Sequence, residues 1–460
     1  MSQAVPRTAE TLEARHQDPI LIGYDKNGKP VEFVSGLSNN HNHVYLGGSG
    51  SGKTRTLHHM VANVFARGTT FHVIDIKGDF GYEHFEKSGV GHLVSPADFN
   101  DIRFNLFDGA SLNPLQVPRM RESGGVMMAI ENTKELVKSF SGTAGQKQLR
   151  YLGEILAAVY KKKNIDHDIE ESWANTAPTL IDVLDEIDLV FNVISSGLGV
   201  GTVEDVMKMF RKSRAKADSR IAQMLGDEHG DDEIAYAVDE IANELSDYLV
   251  KLAKQNINLT NIRNRTSSDS SNMYSQWSRE SLYGLRGVIQ DMVNTRLFTG
   301  RQQMVKGFKI NRYDLTELSP NYQQVIMRII SSRVLAMGVM ETKRSGRYNP
   351  AYPNHILVAD EGKHVKEIAS TPLSPINRIA TEGRGYGVGV WAGVQSADQV
   401  TQDMIKNFST YFLLRTTEAS YAEVSKLFGA PPALLKQLKA RENVLYGTGG
   451  PYSLVCHFKV

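Results

Sequence analysis

A glycine-rich motif near the amino terminus restricts the fold of this chain more than any other feature. Residues 47–54 read GGSGSGKT, a complete G-x-x-x-x-G-K-[ST] sequence, between the apolar stretch 44–46 and a helix-like run over 55–67. Between a strand and a helix, the glycines of such a loop let backbone N–H groups surround a polyphosphate, and the helix dipole favours the negative charge. A flexible glycine-serine loop would be the alternative, but both flanking elements and every motif position are present. The motif therefore predicts an α/β domain that binds a nucleoside triphosphate.

The positions of this phosphate loop have separate expected roles. The Lys53 ammonium reaches the β- and γ-phosphates, and the Thr54 hydroxyl takes a place on Mg²⁺. The residues that we expect to contact the nucleotide are Gly47, Gly48, Ser49, Gly50, Ser51, Gly52, Lys53, Thr54 and Arg55.

Composition bounds the remaining possibilities. The chain has 460 residues, enough for two or three domains, and a net charge of +1, so a nucleic-acid surface could only be a local patch. The single cysteine, Cys456, excludes an intramolecular disulfide and fits a reducing compartment. No run of about eighteen apolar residues is present, so we expect no transmembrane segment and a cytoplasmic location.

The periodicity of apolar residues changes twice along the chain. Short apolar runs that alternate with helical patterns occupy 20–115 and 306–460, which indicates a mainly parallel sheet. Between them, 116–305 carries mostly helical spacing. We predict a flexible segment over 1–19, an α/β core formed by both flanking parts, and an all-α insertion.

A second motif adds two carboxylates. Residues 356–361 read ILVADE, an apolar strand that ends in Asp360 and Glu361. Beside a phosphate loop, the Asp is placed to hold Mg²⁺ through a water, and the Glu to orient or deprotonate the water that attacks the γ-phosphate. The alternative is a solvated acidic pair after a buried strand. The position in a phosphate-loop protein favours catalysis, so the pair predicts hydrolysis.

A third motif, TEGRGYGVGVWAGVQS over 381–396, contains a further predicted strand. If this strand lies next to the acid-bearing one, Gln395 at its end places an amide near the γ-phosphate. Arg384 precedes the strand among glycines, free to project into a neighbouring subunit, where a guanidinium would neutralise transition-state charge. A surface arginine in a glycine-rich turn is the alternative.

Together these segments resemble a known family. GGSGSGKT, FHVIDIKGDF, NPL, ILVADE and ATEGRGYGVGVWAGVQS are similar, in order and approximate spacing, to motifs of the HerA/FtsK superfamily of hexameric motor ATPases. The similarity is nearest to the HerA translocases and the conjugation ATPases of the VirB4 and VirD4/TraD types. It covers about 20–115 and 306–460, and the insertion agrees only in kind with the all-α domain of conjugative coupling proteins.

The resemblance implies a RecA-like P-loop NTPase core, ATP with Mg²⁺ as cofactors and a homo-hexamer. It assigns Lys53 and Thr54 to the phosphate loop, and Asp360 and Glu361 to the metal-water and catalytic pair. It also makes Gln395 a sensor and Arg384 an arginine finger that acts in trans. The catalytic set expected from the resemblance is therefore Glu361, Lys53, Arg384 and Gln395, with Thr54 and Asp360 at the metal.

The sequence departs from these relatives in three respects. Gly362 and Lys363 follow the two acids where HerA-like proteins often have Ala-His, a change that bears on coupling more than on hydrolysis. The membrane helices of a full-length coupling protein and the large amino-terminal domain of VirB4 are not expected in this chain. The turn residues Asp75 and Asp79 are open to both a functional and a structural interpretation.

The sequence leaves open what the motor moves. One hypothesis is a DNA translocase for conjugative transfer or HerA-like processing, acting on single- or double-stranded DNA; the other is a VirB4-like type IV secretion ATPase at the inner face of a membrane complex. A third is a module that uses ATP only as a latch. Two stretches could contact DNA or be merely solvated: the polar loop 261–278, with Tyr274 and Trp277, and a basic helical run. That run contains Arg211, Lys212, Arg214, Lys216 and Arg220.

Overall fold

The computed structural model describes nine stretches of the chain, and it divides into two compact units. The described residues are 9–117, 124–196, 200–226, 231–256, 277–300, 305–368, 374–400, 402–448 and 451–456. The first unit, called the core unit, comprises Met1–Asn132 and Thr295–Val460, and the second, called the helical unit, comprises Thr133–Asn294.

The core unit contains the strands of the described structure. In chain order they are β1 Ile20–Tyr24, β2 Pro30–Phe33, β3 His43–Leu46, β4 Thr70–Asp75, β5 Phe99–Arg103, β6 Ile310–Asp314, β7 His355–Ala359, β8 Val388–Val394, β9 Thr410–Leu413, β10 Val444–Gly447 and β11 Ser453–Val455. β1 and β2 form the antiparallel hairpin, with Ile20 opposite Phe33. The other nine strands form one sheet in the order β11-β10-β9-β3-β8-β7-β4-β6-β5.

This large sheet is mainly parallel. Its parallel part runs from β5 to β9, whereas β10 and β11 pair in antiparallel fashion at one edge. The central strands β3, β4, β7 and β8 are buried at every residue, as expected for parallel strands that are covered on both faces. The predicted α/β class with a mainly parallel sheet is confirmed.

The helices of the described residues are, in chain order, α1 Ala9–Gln17, α2 Lys53–Ala66, α3 Tyr82–Lys87, α4 Gly125–Ser141, α5 Gln146–Lys162, α6 Leu180–Ser196, α7 Val200–Gly226, α8 Asp231–Asn256, α9 Arg279–Asn294, α10 Pro320–Ser345, α11 Gly362–Ile368, α12 Pro375–Glu382, α13 Gln402–Lys406, α14 Tyr421–Phe428 and α15 Pro432–Leu435. α5 to α9 belong to the helical unit, where α6 packs against α5, α7 and α9. Within its described residues this unit contains no strand. Among the helices described here, none has the length and apolar character needed to span a bilayer.

Part of the predicted flexible segment over 1–19 is instead an ordered helix. α1 covers Ala9–Gln17, and its His16 side chain is buried with Nδ1 2.6 Å from Oγ of Ser35. Burial, followed by the charges of Arg67 and His41, lowers the pKa of His16 to about 3, so this imidazole is neutral at pH 7. The polar composition did not reveal this anchor, because Leu12 and His16 are its main buried residues.

The strand order determines where functional groups can meet. β8 lies between β3, which leads into the phosphate loop, and β7, which leads into the two acids. In a parallel sheet the carboxyl ends of such strands lie at one edge, which is where ligands bind in open α/β sheets. The loop after β4 reaches the same edge, since β4 pairs in parallel with β7.

Candidate functional site

The phosphate loop is held between two strands that flank β3. Its Gly47 N–H donates to the Val394 carbonyl at 3.0 Å, and its Gly48 N–H donates to the Arg415 carbonyl at 2.9 Å. Gly52 precedes α2 with φ of +103°, a left-handed conformation that favours glycine. The loop therefore enters α2 with the geometry in which backbone N–H groups and the helix amino terminus can face a polyphosphate.

The two predicted halves of the site meet at Asp360. The Lys53 Nζ lies 3.1 Å from Asp360 Oδ1, and the Thr54 hydroxyl donates to Asp360 Oδ2 at 2.9 Å. Both Lys53 and Asp360 side chains are about one-tenth exposed. Burial raises the pKa of the Asp360 carboxyl, and the adjacent Lys53 ammonium opposes that shift. Residues that are 306 positions apart thus form one contact set at the start of α2.

The oxygen atoms in this set fit Mg²⁺. A Thr hydroxyl and an Asp carboxylate are hard ligands, and Mg²⁺ usually binds through one or two protein carboxylates, substrate phosphates and several waters. Elsewhere in the described stretches of the chain, no group of three or more His, Cys, Asp or Glu side chains is arranged to hold a metal ion. Thr54 and Asp360 therefore suit a metal that arrives together with nucleotide phosphates.

Glu361 lies beside this contact set, and its partner was not predicted from the sequence. Its Oε2 is 2.7 Å from the Nζ of Lys77, which follows β4. Burial disfavours the charged amine, but the hydrogen bond and the charge of Glu361 raise the pKa of Lys77. The DIKGDF segment that carries Lys77 thus contacts the proposed catalytic acid directly.

Asp75 has a structural role in the same segment. Its buried carboxylate accepts hydrogen bonds from the N–H groups of residues 78–80 at 2.7 to 3.1 Å and pairs with Arg312 Nε at 2.7 Å. Gly78 has φ of +82°, which lets the chain turn back towards the carboxylate. Of the two interpretations left open for Asp75, the contacts support a turn that shapes the loop of Lys77.

Gln395 directly follows β8, at the same edge of the sheet as the acids. Its side chain is exposed, and its backbone N–H donates to Oε1 of Gln399 at 2.8 Å. Two glycines let β8 approach the acids closely. A Cβ on Gly393 would lie 2.9 Å from Cα and from Cγ of Asp360, and a Cβ on Gly362 would lie 3.0 Å from Cα of Val394. A side chain at position 362 would therefore crowd the end of β8.

Arg384 does not join the site of its own chain. It lies in the short turn Gly383–Tyr386, before β8 begins, and its side chain is exposed. The seven residues of β8 at about 3.3 Å each separate this turn from Gln395 by roughly 20 Å. Arg384 is therefore at the opposite edge of the sheet from Lys53 and Glu361.

Arg441, which lies outside the motifs, contacts the phosphate loop and was not predicted from the sequence. Arg441 has φ of +64°, which is rare for a side chain with a Cβ. Its backbone N–H donates to the Ser51 carbonyl at 3.0 Å, and its Nε donates to the Gly50 carbonyl at 3.2 Å. No motif surrounds Arg441, so only the fold reveals that the carboxyl-terminal segment braces this loop.

The basic run of α7 in the helical unit is largely paired with acids. Arg211 lies 3.1 Å from Asp185 of α6, and Lys216 lies 2.9 Å from Glu244 of α8. Arg220 and Arg214 likewise pair with Glu240 and Asp218, respectively. These ion pairs account for the basic residues of α7 as contacts within the helical unit. Of the predicted polar loop 261–278, residues 261–276 lie outside the described residues.

The core unit has a RecA-like P-loop fold. β3, the phosphate loop and α2 follow one another in the chain, and the acid-bearing strand β7 lies two positions from β3 in a parallel sheet. Residues 31–113 match the family model described as type IV secretion-system coupling protein DNA-binding domain. The structure of VirB4 of Thermoanaerobacter pseudethanolicus is similar over 96% of both chains, with a TM-score of 0.60 and 15% sequence identity. The predicted resemblance is confirmed to this extent: residues 31–113 match the coupling-protein family model, and the fold is similar to that of VirB4.

Two further solved structures align with about a third of this chain. The genome packaging NTPase B204 from Sulfolobus turreted icosahedral virus 2, in complex with sulfate, has a TM-score of 0.26 and 16% identity, over 34% of this chain and 68% of that chain. The pCW3 conjugation coupling protein TcpA, in a monomer form with ATPγS, has a TM-score of 0.25 and 13% identity, over 32% and 47%. No curated protein matches the chain in sequence.

Proposed function

We propose that this protein is an ATPase of the conjugative and type IV secretion class, and that a ring of its subunits uses ATP hydrolysis to translocate DNA. The observation that carries the proposal is the contact of Asp360 with both Lys53 and Thr54 at the start of α2. This arrangement brings a phosphate-binding cation and two magnesium ligands to one point, which is what phosphoryl transfer from a nucleoside triphosphate requires.

The chain's own residues would act as follows. Lys53 exchanges its contact with Asp360 for the β- and γ-phosphates, and the N–H groups of residues 48–54 bind the phosphate oxygens. Thr54 and Asp360 hold Mg²⁺, which when bound neutralises charge on the phosphates. Glu361 orients the attacking water and accepts its proton.

Assembly into a homo-hexamer completes the site in this proposal. Arg384 is exposed and lies roughly 20 Å along β8 from Gln395 of its own chain, so in this proposal it serves the nucleotide of a neighbouring subunit. Gln395, at the acid-bearing edge, would report the presence of the γ-phosphate to β8 and thereby to Arg384. β8 thus connects the nucleotide site of one subunit with Arg384, which acts on the nucleotide of the neighbouring subunit in this proposal.

The matched family model favours DNA as the moved polymer, because its description names a DNA-binding domain of coupling proteins. The fold of VirB4 over 96% of the chain supports the second candidate, a secretion ATPase that energises a protein assembly. For either candidate we propose a cytoplasmic location, and for the second a location at the inner face of a membrane complex.

The rate of ATP hydrolysis with and without DNA separates the two candidates. The measurement uses the full chain with ATP and Mg²⁺ at about 50 mM salt, because phosphate contacts weaken steeply with salt. The Glu361→Gln variant, prepared identically, controls for contaminating ATPases. Stimulation by single- or double-stranded DNA supports the translocase. A rate that stays constant with both DNAs refutes it, and stimulation by a copurifying membrane-complex protein would then support the secretion ATPase.

A further inference from the structure

We propose that Lys77 is a positioning residue for hydrolysis, which holds the Glu361 carboxylate in place for the attacking water. The inference rests on the proposed ATPase function. Lys77 Nζ lies 2.7 Å from Oε2 of Glu361. The loops after β4 and β7 also border one shared cavity, lined among others by Lys77, Asp79, Phe80, Asp360 and Glu361.

The position of Lys77 is determined by buried structure. Asp75 is 1% exposed and fixes the turn that follows Lys77 through three backbone hydrogen bonds. Arg312, which is 13% exposed, pairs through Nε with Oδ2 of this carboxylate. A side chain that starts from such a restrained turn loses less freedom on contact than one from a mobile loop. The turn therefore presents the ammonium to Glu361.

Charge balance gives this contact a function. Two adjacent carboxylates at a strand end repel each other, and here each has its own lysine: Lys53 for Asp360 and Lys77 for Glu361. When nucleotide draws Lys53 to the phosphates, Lys77 remains to keep the Glu361 carboxylate from turning away. The Lys77 side chain is 47% exposed, so the ion pair contributes little to folding stability. Its loss should therefore act on turnover rather than on folding.

Steady-state ATP hydrolysis by Lys77→Met, Lys77→Arg and Lys87→Met tests this role. Met keeps the aliphatic stem without the charge, Arg keeps the charge, and the exposed Lys87 at the end of α3 is the matched control. We expect Lys77→Met to lower kcat about tenfold with KM for ATP within about twofold of wild type, because only the water-orienting group is affected. Lys77→Arg should recover most of kcat, and Lys87→Met should equal wild type.

Several outcomes would overturn the inference. An unchanged or increased kcat in Lys77→Met would exclude a positioning role, as would a rise in KM equal to the loss of kcat/KM. A lowered thermal midpoint in Lys77→Met, with Lys77→Arg equally inactive, would indicate a merely structural contact. In the Glu361→Gln background, a further loss from Lys77→Met would show that Lys77 does not act through Glu361. Absence of turnover in the wild type would refute the proposed function itself, whereas normal turnover in Lys77→Met would refute the positioning role alone.

Discussion

Replacement of Gly393 by alanine probes the geometry of the site without removing any functional group. The new Cβ would overlap Oδ1 of Asp360 and lie 2.9 Å from its Cα and Cγ, whereas ordinary contact begins at 3.4 Å. The backbone of Asp360 must therefore retreat by about 0.5 Å, the difference between these values, and Oδ1, which is closer still, must move further, so the carboxylate leaves its contacts with Lys53 and Thr54. Since misplacement by 1 Å can cost about 100-fold in rate, we expect kcat for ATP hydrolysis to fall about 10- to 100-fold.

Overpacking also lowers stability, by about 1–3 kcal/mol, so the assay needs a variant with the same strain elsewhere. Gly447→Ala in β10 provides it, because its Cβ would meet the Tyr452 ring at 2.8 and 2.9 Å, away from the acids. Both variants are compared by urea unfolding and by kcat at saturating ATP and Mg²⁺. Gly447→Ala should lose stability but retain turnover within about twofold of wild type. Wild-type turnover in Gly393→Ala would refute the described approach of β8 to Asp360.

The remaining predictions concern other parts of the core unit. Lys53→Ala should weaken ATP binding about 10- to 100-fold in equilibrium titration, since it removes the buried cation next to Asp360; unchanged affinity would reassign the phosphate site. Arg384→Ala should lower turnover by about 10³-fold or more while ATP affinity is retained. If the arginine finger acts in trans, mixing Arg384→Ala with Glu361→Gln subunits should restore activity, and no recovery would contradict action in trans. Acidification from pH 7.5 to 5.5 should lower unfolding free energy by roughly 1 kcal/mol for each of His16 and His41. Burial lowers their pKa values from 6.5 to about 3 and about 4, so the unfolded chain binds more protons in this range and stability is lost as pH falls; a constant urea midpoint would contradict it.

The motifs made the central strands predictable. His355–Ala359 and Val388–Val394 were expected as strands because short apolar runs between polar ends are typical of a buried parallel sheet. The edge strand Phe99–Arg103 was not expected, since only Ile102 of its five residues is buried. Its pairing with β6 depends on a partner more than two hundred residues away. Local patterns do not carry that information.

The site was predictable where chemistry requires a fixed residue type. Lys53, Thr54, Asp360 and Glu361 follow from what a phosphate, a metal and a water need, and the fold brings the first three into contact. Lys77 and Arg441 could not be assigned in the same way. A lysine in a charged turn and an arginine outside any motif have common solvated alternatives, and only tertiary structure shows which carboxylate or carbonyl each one meets.

The central claim is that Glu361 activates water for ATP that is bound by the phosphate loop and Asp360. The most direct test measures ATP affinity and turnover for wild type and Glu361→Gln in parallel. Because the amide keeps the size of the side chain but cannot accept the proton, the account predicts equal affinity and a loss of turnover of about 100-fold or more. Hydrolysis at the wild-type rate by Glu361→Gln would contradict it.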